Sequence, residues 1–453
     1  MTTQSSSSEG LRRFLAVLRK RDFFWLWLAQ LISMVGDYFM LLAVPLLITV
    51  LAEGGSVVGP VSAGKGGELP AEAKALVGLT ALAYTAPRLL GLFTGVFVDR
   101  WDRKRTIVIA SGLAGLATLA PILVDSLDEM GLVIAGQFIL ALLTRFIQPA
   151  QQAVLPLLIS DEDDLLAANG LFSINMTIGI ILGPLLAGVT VATLGLRAAF
   201  IVDSISFLIA AGIVGLLVRI PALEDAPAGV GIRAVMGEIW EGVRFLFVTP
   251  ILLASVISFS LLQGGLAGIN LAWVPYLRET FGLGPVGITL VDAAQGAGMA
   301  LGALVLGLVM SRLSKLHIAA GSLVGIGLAL AGMGLAPTFL IVVLLALGLG
   351  ILLTPGQSAF NTLLQIVIPK ALQGRVFSSF AAITNTATIL MTGIITALIT
   401  VVPLRSLYIG GGIAVMLAGV LWYGMVRHDV QALKLRQQTA NGSADSAAVP
   451  ATR

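Results

Sequence analysis

The sequence predicts an all-α membrane protein with twelve transmembrane helices in two pseudo-symmetric halves of six helices each. Of the 453 residues, 57% are apolar and only 11% are charged, against about a quarter charged in a typical soluble domain. Twelve apolar runs are long enough to cross the bilayer, which takes roughly 20 helical residues. Each run has to be helical, because lipid offers no partner to backbone N–H and C=O groups and no run shows the alternation of a barrel strand.

In chain order, the predicted spans cover about residues 23–51, 75–98, 105–125, 131–153, 167–192 and 198–219, and then 251–277, 287–310, 317–336, 338–360, 375–402 and 406–426. Between the sixth and seventh spans, Pro221 to Gly231 gathers proline, glycine and acidic residues, which is typical of a linker. The following segment, Ile232 to Val248, predicts an amphipathic helix on the membrane surface, with Trp240 at the interface.

The chain therefore divides into five predicted regions. These are a cytoplasmic N-terminal segment 1–22, a six-helix half 23–220, the linker and amphipathic helix 221–248, a second half 249–427, and a tail 428–453 that we expect to be disordered. A shift of 206 residues places Pro149 and Gln151 on Pro355 and Gln357, so the halves are faintly alike. Duplicated halves around a midplane cavity are a common design of secondary transporters.

Positive charges are concentrated on one side of the predicted membrane. The loops assigned to the cytoplasm hold 20 of the 27 lysines and arginines, whereas Arg88 and Arg145 fall inside spans. Because lysine-rich and arginine-rich loops stay in the cytoplasm, both termini are predicted to be cytoplasmic, in a multi-pass protein of the cell (inner) membrane. The net charge of +3 therefore reflects topology, and we expect no nucleic-acid partner.

The composition also argues against metal and thiol chemistry. The chain has no cysteine and only two histidines, His317 and His428, which we interpret as marking helix ends. No combination of nucleophile, base and metal ligand stands at a predicted interface, so an enzyme is not expected. We expect no cofactor and no resident metal, a lipid bilayer as the surroundings, and a monomer.

The loop between the second and third spans reads GVFVDRWDRKR. A plain positive-inside turn explains its cations, which suit an anionic leaflet, but not Asp99, which suits a helix N-terminus or a cation. The loop resembles the pattern G-x-L-a-D-r-x-G-r-k of the major facilitator superfamily, and this resemblance implies a conformational gate. The matching residues are Gly95, Asp99, Arg100, Arg103 and Lys104, whereas Phe97 and Asp102 depart from the pattern.

Small residues recur along the fifth predicted span, as Gly170, Gly179, Gly183, Pro184 and Gly188. Small residues four apart let helices touch, so simple helix packing is one interpretation. The spacing also resembles the antiporter signature of the same superfamily, with Ala187 where a further glycine is usual. By that resemblance, this helix lets the halves seal against proton leak.

The fourth predicted span contains Arg145 in the stretch TRFIQPAQQA. This stretch resembles the R-x-x-q-G element of the superfamily, with Gln148 matching and Pro149 in place of glycine. Together with the segments around Asp37 and Asp203, it is similar to the branch that holds macrolide-efflux and siderophore-export proteins. The resemblance covers residues 12 to about 428 and bears on fold and activity more than on substrate.

Three charged residues, Asp37, Arg88 and Arg145, are predicted inside the membrane, where an ionisable group near a helix centre costs about 2.5 to 3.5 kcal/mol. Burial favours a protonated Asp37 and a nearby arginine favours its carboxylate, so a change in their separation could load or release a proton. We therefore predict that the three form a proton-coupling group, with a static buried pair as the alternative. Asp203 and Asp292 are expected to cap helices or face water near the outer helix ends.

The second half has no predicted acid at mid-depth but carries several amides. We select Gln263, Asn270 and Gln357 as candidates for a cavity that takes a bulky amphipathic molecule through neutral hydrogen bonds and apolar contacts. The same side chains could instead join helices to one another.

These patterns predict a secondary transporter that exports an amphipathic small molecule, drug-like or siderophore-like, in exchange for protons by alternating access. An uptake symporter of the same fold and a membrane receptor that has lost transport remain as alternatives.

Overall fold

The computed structural model describes residues 12–98, 101–220 and 232–447, so Asp99, Arg100 and the predicted linker Pro221 to Gly231 lie outside the described residues. Within these ranges, eleven helices are long and apolar enough to cross a membrane. A twelfth membrane segment is built from shorter pieces. The predicted all-α membrane fold is therefore confirmed.

The first half begins with a short helix, α1, over residues 12–18. The membrane helices that follow are α2 (Arg21–Ala52), α3 (Ala71–Thr85), α4 (Gly91–Val98), α5 (Arg103–Ala117), α6 (Met130–Leu158), α7 (Glu162–Leu194) and α8 (Leu196–Leu217). In this half, α2 packs against α7 and α8, and α5 packs against α6 and α8.

The second half follows a surface helix, α9 (Ile232–Val248), which coincides with the predicted amphipathic segment. Its membrane helices are α10 (Pro250–Phe281), α11 (Pro285–Arg312), α12 (Lys315–Leu335), α13 (Phe339–Val367), α14 (Gln373–Leu398) and α15 (Leu404–Ala447). The ion pair of Glu241 with Arg375, at 2.8 Å, holds α9 against α14. The halves meet where α7 packs on α11 and α3 packs on α14.

The second membrane segment is broken at its middle. Helix α3 ends at Thr85, a 3₁₀ turn covers Ala86–Leu89, and α4 begins at Gly91. Pro87 explains the break, because proline lacks the N–H of a helical hydrogen bond and its ring crowds the preceding turn. Arg88 therefore lies in a turn and not in the continuous helix that its sequence predicts.

The predicted disorder of the tail is wrong up to Ala447, because α15 continues as a helix through that residue. Residues 428–440 are rich in alanine, leucine, glutamine, lysine and arginine, which have high helix propensity and extend a helix that is already nucleated.

Candidate transport site

A cavity in the first half, the N-half cavity, opens between α2, α3 and α6 and has a volume of about 230 Å³. Its lining is Met34, Asp37, Tyr38, Met40, Leu41, Tyr84, Gln137, Leu140 and Thr144. Asp37 is accessible within the cavity, although the surrounding helices enclose it. The volume holds several water molecules at about 30 Å³ each, so a hydrated carboxyl group fits this site.

Arg145 of α6 is the cation that acts on Asp37 electrostatically. Its Nε atom is buried and has no hydrogen-bond partner in the described structure. Arg88, in the 3₁₀ turn, acts on Arg145 and on Tyr84. The structure therefore places Arg145 within electrostatic range of Asp37, and Arg88 within electrostatic range of Arg145 and Tyr84.

Tyr84 lines the same cavity as Asp37, and the sequence did not predict a role for it. Its hydroxyl interacts electrostatically with both acids and both arginines, namely Asp37, Asp203, Arg145 and Arg88. A tyrosine hydroxyl can donate or accept a hydrogen bond. Tyr84 can therefore donate to a carboxylate or accept from an arginine. Tyr84 lies among apolar residues of a predicted span, and nothing in the sequence around it indicates contact with charged groups.

The expectation for Asp203 is wrong, and Asp292, seven residues after the start of α11, does not cap that helix. Asp203 lies within α8, after Leu196 has begun that helix, and is fully buried, so it neither caps a helix nor faces water. Asp292 is half-buried within α11, and it lies near Trp273 of α10 and Tyr38 of α2. Position along the helix predicts how deep these acids lie in the membrane, but not whether their side chains face other helices or water.

In the loop between the second and third segments, the described residues stabilise helix ends. Asp102, which departs from the family pattern, caps α5 by accepting a hydrogen bond from the Arg105 backbone N–H at 2.8 Å. Lys104 Nζ donates to the Val218 carbonyl oxygen at 2.8 Å and so ties the start of α5 to the end of α8. Arg103 has a buried Nε atom without a partner in the described structure, and Gly95 lies within α4.

The glycines of α7 lie where this helix contacts α2 of its own half and α11 of the other half. A Cβ atom on Gly179 would lie 3.0 Å from Met34 of α2, and one on Gly183 would meet the ring of Tyr38 on the same helix. Gly188 is in similar contact with Thr289 of α11. The remaining members of the predicted set differ: Pro184 is buried in α7, and Gly170 faces Phe14 of α1.

A second cavity, the C-half cavity, lies between α10, α12 and α13 and has a volume of about 60 Å³. Gln263 and Gln357 both line it, next to Ser322. Asn270, the third predicted residue, is exposed about two turns further along α10 and does not line this cavity.

Aromatic rings close one side of the C-half cavity. Phe259 and Phe360 stack with their centroids 4.9 Å apart and their planes at 15°. Phe380 and Trp422 extend this cluster, at 5.9 and 5.7 Å from Phe360. The cavity thus offers amide hydrogen bonds and flat apolar surfaces, without an ionisable side chain among its lining residues.

The predicted outer end of the bundle is closed by ion pairs between the halves, which we name the outer seal. Arg278 of α10 donates from Nε and Nη2 to the two carboxylate oxygens of Glu53, each at 2.8 Å. Lys74 of α3 pairs with Glu279 at 3.1 Å. The ion pairs seen at the predicted cytoplasmic end, such as that of Lys20 with Asp164, join helices of one half.

In the described part of the chain, eleven membrane helices and one broken segment form two halves, with a carboxyl group lining a cavity, and this arrangement is typical of a membrane transporter. A sequence profile of the Major Facilitator Superfamily matches residues 26–269 and 257–447. The chain belongs to this superfamily, which confirms the resemblance read from its motifs, and it is a transporter and not an enzyme.

Several relatives are named for efflux. The chain is similar to macrolide efflux protein A of Streptococcus pyogenes, with 27% identity over 375 residues that cover 81% of this chain and 87% of the relative. It is similar to the multidrug efflux pump Tap of Mycolicibacterium fortuitum, with 26% identity and coverages of 66% and 74%. For the enterobactin exporter EntS of Citrobacter koseri, the identity is 28% and the coverages are 66% and 71%.

Solved transporters share the fold. The nucleoside transporter NupG aligns with a TM-score of 0.72 at 13% identity, over 89% of this chain and 99% of NupG. A bacterial homologue of the lysosomal transporter Spinster aligns with a TM-score of 0.67 at 13% identity, over 92% of this chain and 97% of the homologue.

Proposed function

We propose that this protein exports an amphipathic small molecule in exchange for protons, by alternating access of a site between its halves. The observation that carries the proposal is the position of Asp37. This side chain is the one acid that lines the N-half cavity in the described structure, and it lies beside the fixed cation Arg145. A carboxyl group reached by water and set against a cation can take up and release a proton.

The direction of transport follows from the relatives, whose names record export of macrolides, several drugs and enterobactin. The charge bias of the loops supports a cytoplasmic location of both termini. With that orientation, the outer seal closes the extracellular side. Substrate then enters from the cytoplasm, and proton re-entry drives its release, since each charge gains about 2.3 kcal/mol per 100 mV of membrane potential.

The two cavities support separate roles in proton binding and substrate binding. The N-half cavity supplies the proton-binding carboxyl, whereas Gln263, Gln357 and the aromatic cluster of the C-half cavity supply neutral hydrogen bonds and flat apolar surface. Neither cavity alone reaches the about 300 Å³ of a drug-sized pocket, so substrate would occupy the space that opens when the halves separate. Because one chain supplies both cavities, a monomer suffices.

Alternating access requires contacts that close and open. The glycines of α7 that touch α2 and α11 permit close approach without side-chain clash, as the antiporter interpretation requires. We assign the gating role at the predicted cytoplasmic end to Gly95, Asp99, Arg100, Arg103 and Lys104, by their match to the family pattern.

The test uses purified protein in liposomes of known orientation, an imposed pH gradient and erythromycin as a macrolide probe. Wild-type protein is expected to move erythromycin uphill, against the direction of proton flow. Asp37→Asn should keep the fold but lose this movement, because an amide carries no proton. Asp125→Asn, which removes an exposed carboxylate paired with Arg197 at 2.7 Å, is the control and should behave as wild type.

Two results would contradict the proposal. Uphill movement in the same direction as the protons would identify an uptake symporter. Undiminished gradient-driven export by Asp37→Asn would remove this carboxyl from the coupling step.

A further inference from the structure

A second acid lies next to Asp37 in the interior of the first half. Asp203 of α8 is fully buried, and its Oδ2 atom has no hydrogen-bond partner in the described structure. It approaches α2 at Gly36, the residue before Asp37, where an added Cβ would lie 2.8 Å from Asp203 Oδ1. The added Cβ would meet the Ser206 side chain even more closely, so the glycine makes room for Ser206 and for this carboxyl together. The two acids interact electrostatically.

The polar neighbour of Asp203 on its own helix is Ser206. Ser206 Oγ donates to the Asp203 backbone oxygen at 2.8 Å and lies 3.5 Å from Asp203 Oδ1. A hydroxyl group has a single proton, and the backbone bond uses it. Ser206 therefore offers Asp203 Oδ1 at most a weak, shared hydrogen bond at 3.5 Å, which does little to offset the cost of a buried carboxylate.

In the described structure, the main elements packed against α8 carry cations at the starts of α2 and α5, and none of these acts on Asp203. These elements are α2, α5, α7 and the 3₁₀ turn Ala120–Leu123. Helix α2 carries Asp37 and Tyr38 at this level, and its Arg21 and Asp22 lie about 24 Å away along the helix. The turn, α5 after Arg105 and α7 after Asp164 contain no titratable side chain. The remaining group that interacts with it electrostatically is Tyr84 of α3.

A buried carboxylate without a cation is costly, and a second negative charge at Asp37 adds to the cost. Two acids in such contact titrate as a pair, with macroscopic steps that belong to both. Ionising one of the two therefore disfavours ionising the other.

We propose that Asp203 is a second proton-binding carboxyl, which exchanges a proton with Asp37 during transport. The proposal rests on the proposed proton antiport and names a further group in it. In the exchange, an O–H bond breaks at Asp203 and one forms at Asp37, so the negative charge moves from the cavity wall to the interface of α2 and α8. Arg145 favours the charge on Asp37, and a shift of α6 away from α2 would favour the exchange.

Labelling with dicyclohexylcarbodiimide, which modifies protonated buried carboxyls, tests the pair directly. In wild-type protein in detergent, mass spectrometry should find Asp203 modified at neutral pH and progressively less modified as the pH rises. In Asp37→Asn the like charge is absent, so the decline should move to lower pH. Absent modification, modification that is equal at every pH, or a decline unmoved by Asp37→Asn would overturn the proposal.

Transport by Asp203→Asn gives a second measurement, because asparagine reproduces a permanently neutral Asp203. The proposal expects the two-step pH dependence of erythromycin export to become a single step, whereas Asp125→Asn keeps the wild-type profile. An unchanged profile in Asp203→Asn would refute the exchange. If Asp203→Asn does not fold, the labelling curves decide. If Asp37→Asn still exports erythromycin under a pH gradient, the proposed function fails, and the labelling of Asp203 in wild-type protein remains a separate result.

Discussion

The N-half and C-half cavities occupy comparable places, each against the first and fourth membrane segments of its half, but they differ in chemistry. The N-half cavity is lined by the Asp37 carboxyl and two tyrosines, and Arg145 acts on that carboxyl electrostatically. The C-half cavity presents two glutamines and stacked phenylalanines. A duplicated scaffold can therefore assign charge to one copy and neutral contacts to the other. This separation lets the proton affinity of the first half change without altering the groups that touch the apolar part of a substrate.

While the outer seal is closed, both cavities are expected to face the same side of the membrane. Glu53→Gln should open the outer end, because removing one partner of a buried ion pair costs about 3–5 kcal/mol. The chain has no cysteine, so Leu41→Cys on the N-half cavity provides a single labelling site. A membrane-impermeant maleimide added outside should label this cysteine at least about tenfold faster in the Glu53→Gln background.

Glu68→Gln is the matched control for that experiment. Glu68 also pairs with Lys74 at 3.1 Å, but its side chain is 81% exposed, compared with 16% for Glu53. Exposed pairs contribute about 0–1 kcal/mol, so this variant should label as slowly as the parent. Equal labelling in both variants would show that the seal does not hold the outer end closed.

Arg145→Gln tests whether this cation sets the proton affinity of Asp37 at the N-half cavity. Loss of this cation removes the interaction that favours the Asp37 carboxylate, and a nearby opposite charge shifts a titration by about 1–3 pH units. The pH midpoint of erythromycin binding should therefore move upward by that amount, and gradient-driven export should fall towards the level of Asp37→Asn. Arg197→Gln removes an arginine at the outer surface and should leave the midpoint in place. A midpoint that stays fixed in Arg145→Gln would point to Arg88 instead.

A substitution in the uncharged C-half cavity is expected to change transport chemistry least. Gln357→Ala removes one hydrogen-bonding group, worth about 0.5–1.5 kcal/mol, so erythromycin affinity should fall by about 2- to 12-fold. The pH midpoint of binding should stay the same, because no charge is lost. Asn270→Ala should have less effect, since Asn270 lies outside the C-half cavity. A shift of the pH midpoint in Gln357→Ala would break the assignment of charge to one half.

The sequence predicted the fold because hydrophobic length and the positive-inside bias are local properties that any window along the chain reports. Asp37 and Arg145 were also visible, since a charge inside an apolar run stands out. The bounds of helix α9, Ile232–Val248, agree with the predicted ones. Its amphipathic periodicity is a local property and is limited to the segment that lies on the membrane surface.

What the sequence could not provide is which faces meet. Asp203 stood out as an acid, but its contact with α2 depends on Gly36, far away along the chain. The outer seal joins Glu53 to Arg278, 225 positions apart, and nothing local marks either residue as a partner of the other. The same reason separates Gln263 from Asn270: both are amides on α10, and only the packing of α12 and α13 decides which one lines the cavity.

The burial of the outer seal has a consequence for how the protein responds to salt. Mobile ions screen exposed charges over about 8 Å at physiological ionic strength, but they act far less on pairs that exclude water. Arg278 is 4% exposed and Lys74 is 2% exposed, and their partners Glu53 and Glu279 are 16% and 12% exposed. The external electrolyte therefore screens both pairs only weakly while the seal is closed. A change of salinity outside should therefore leave the closed state as populated as before, and should act on the charges only after the seal has opened.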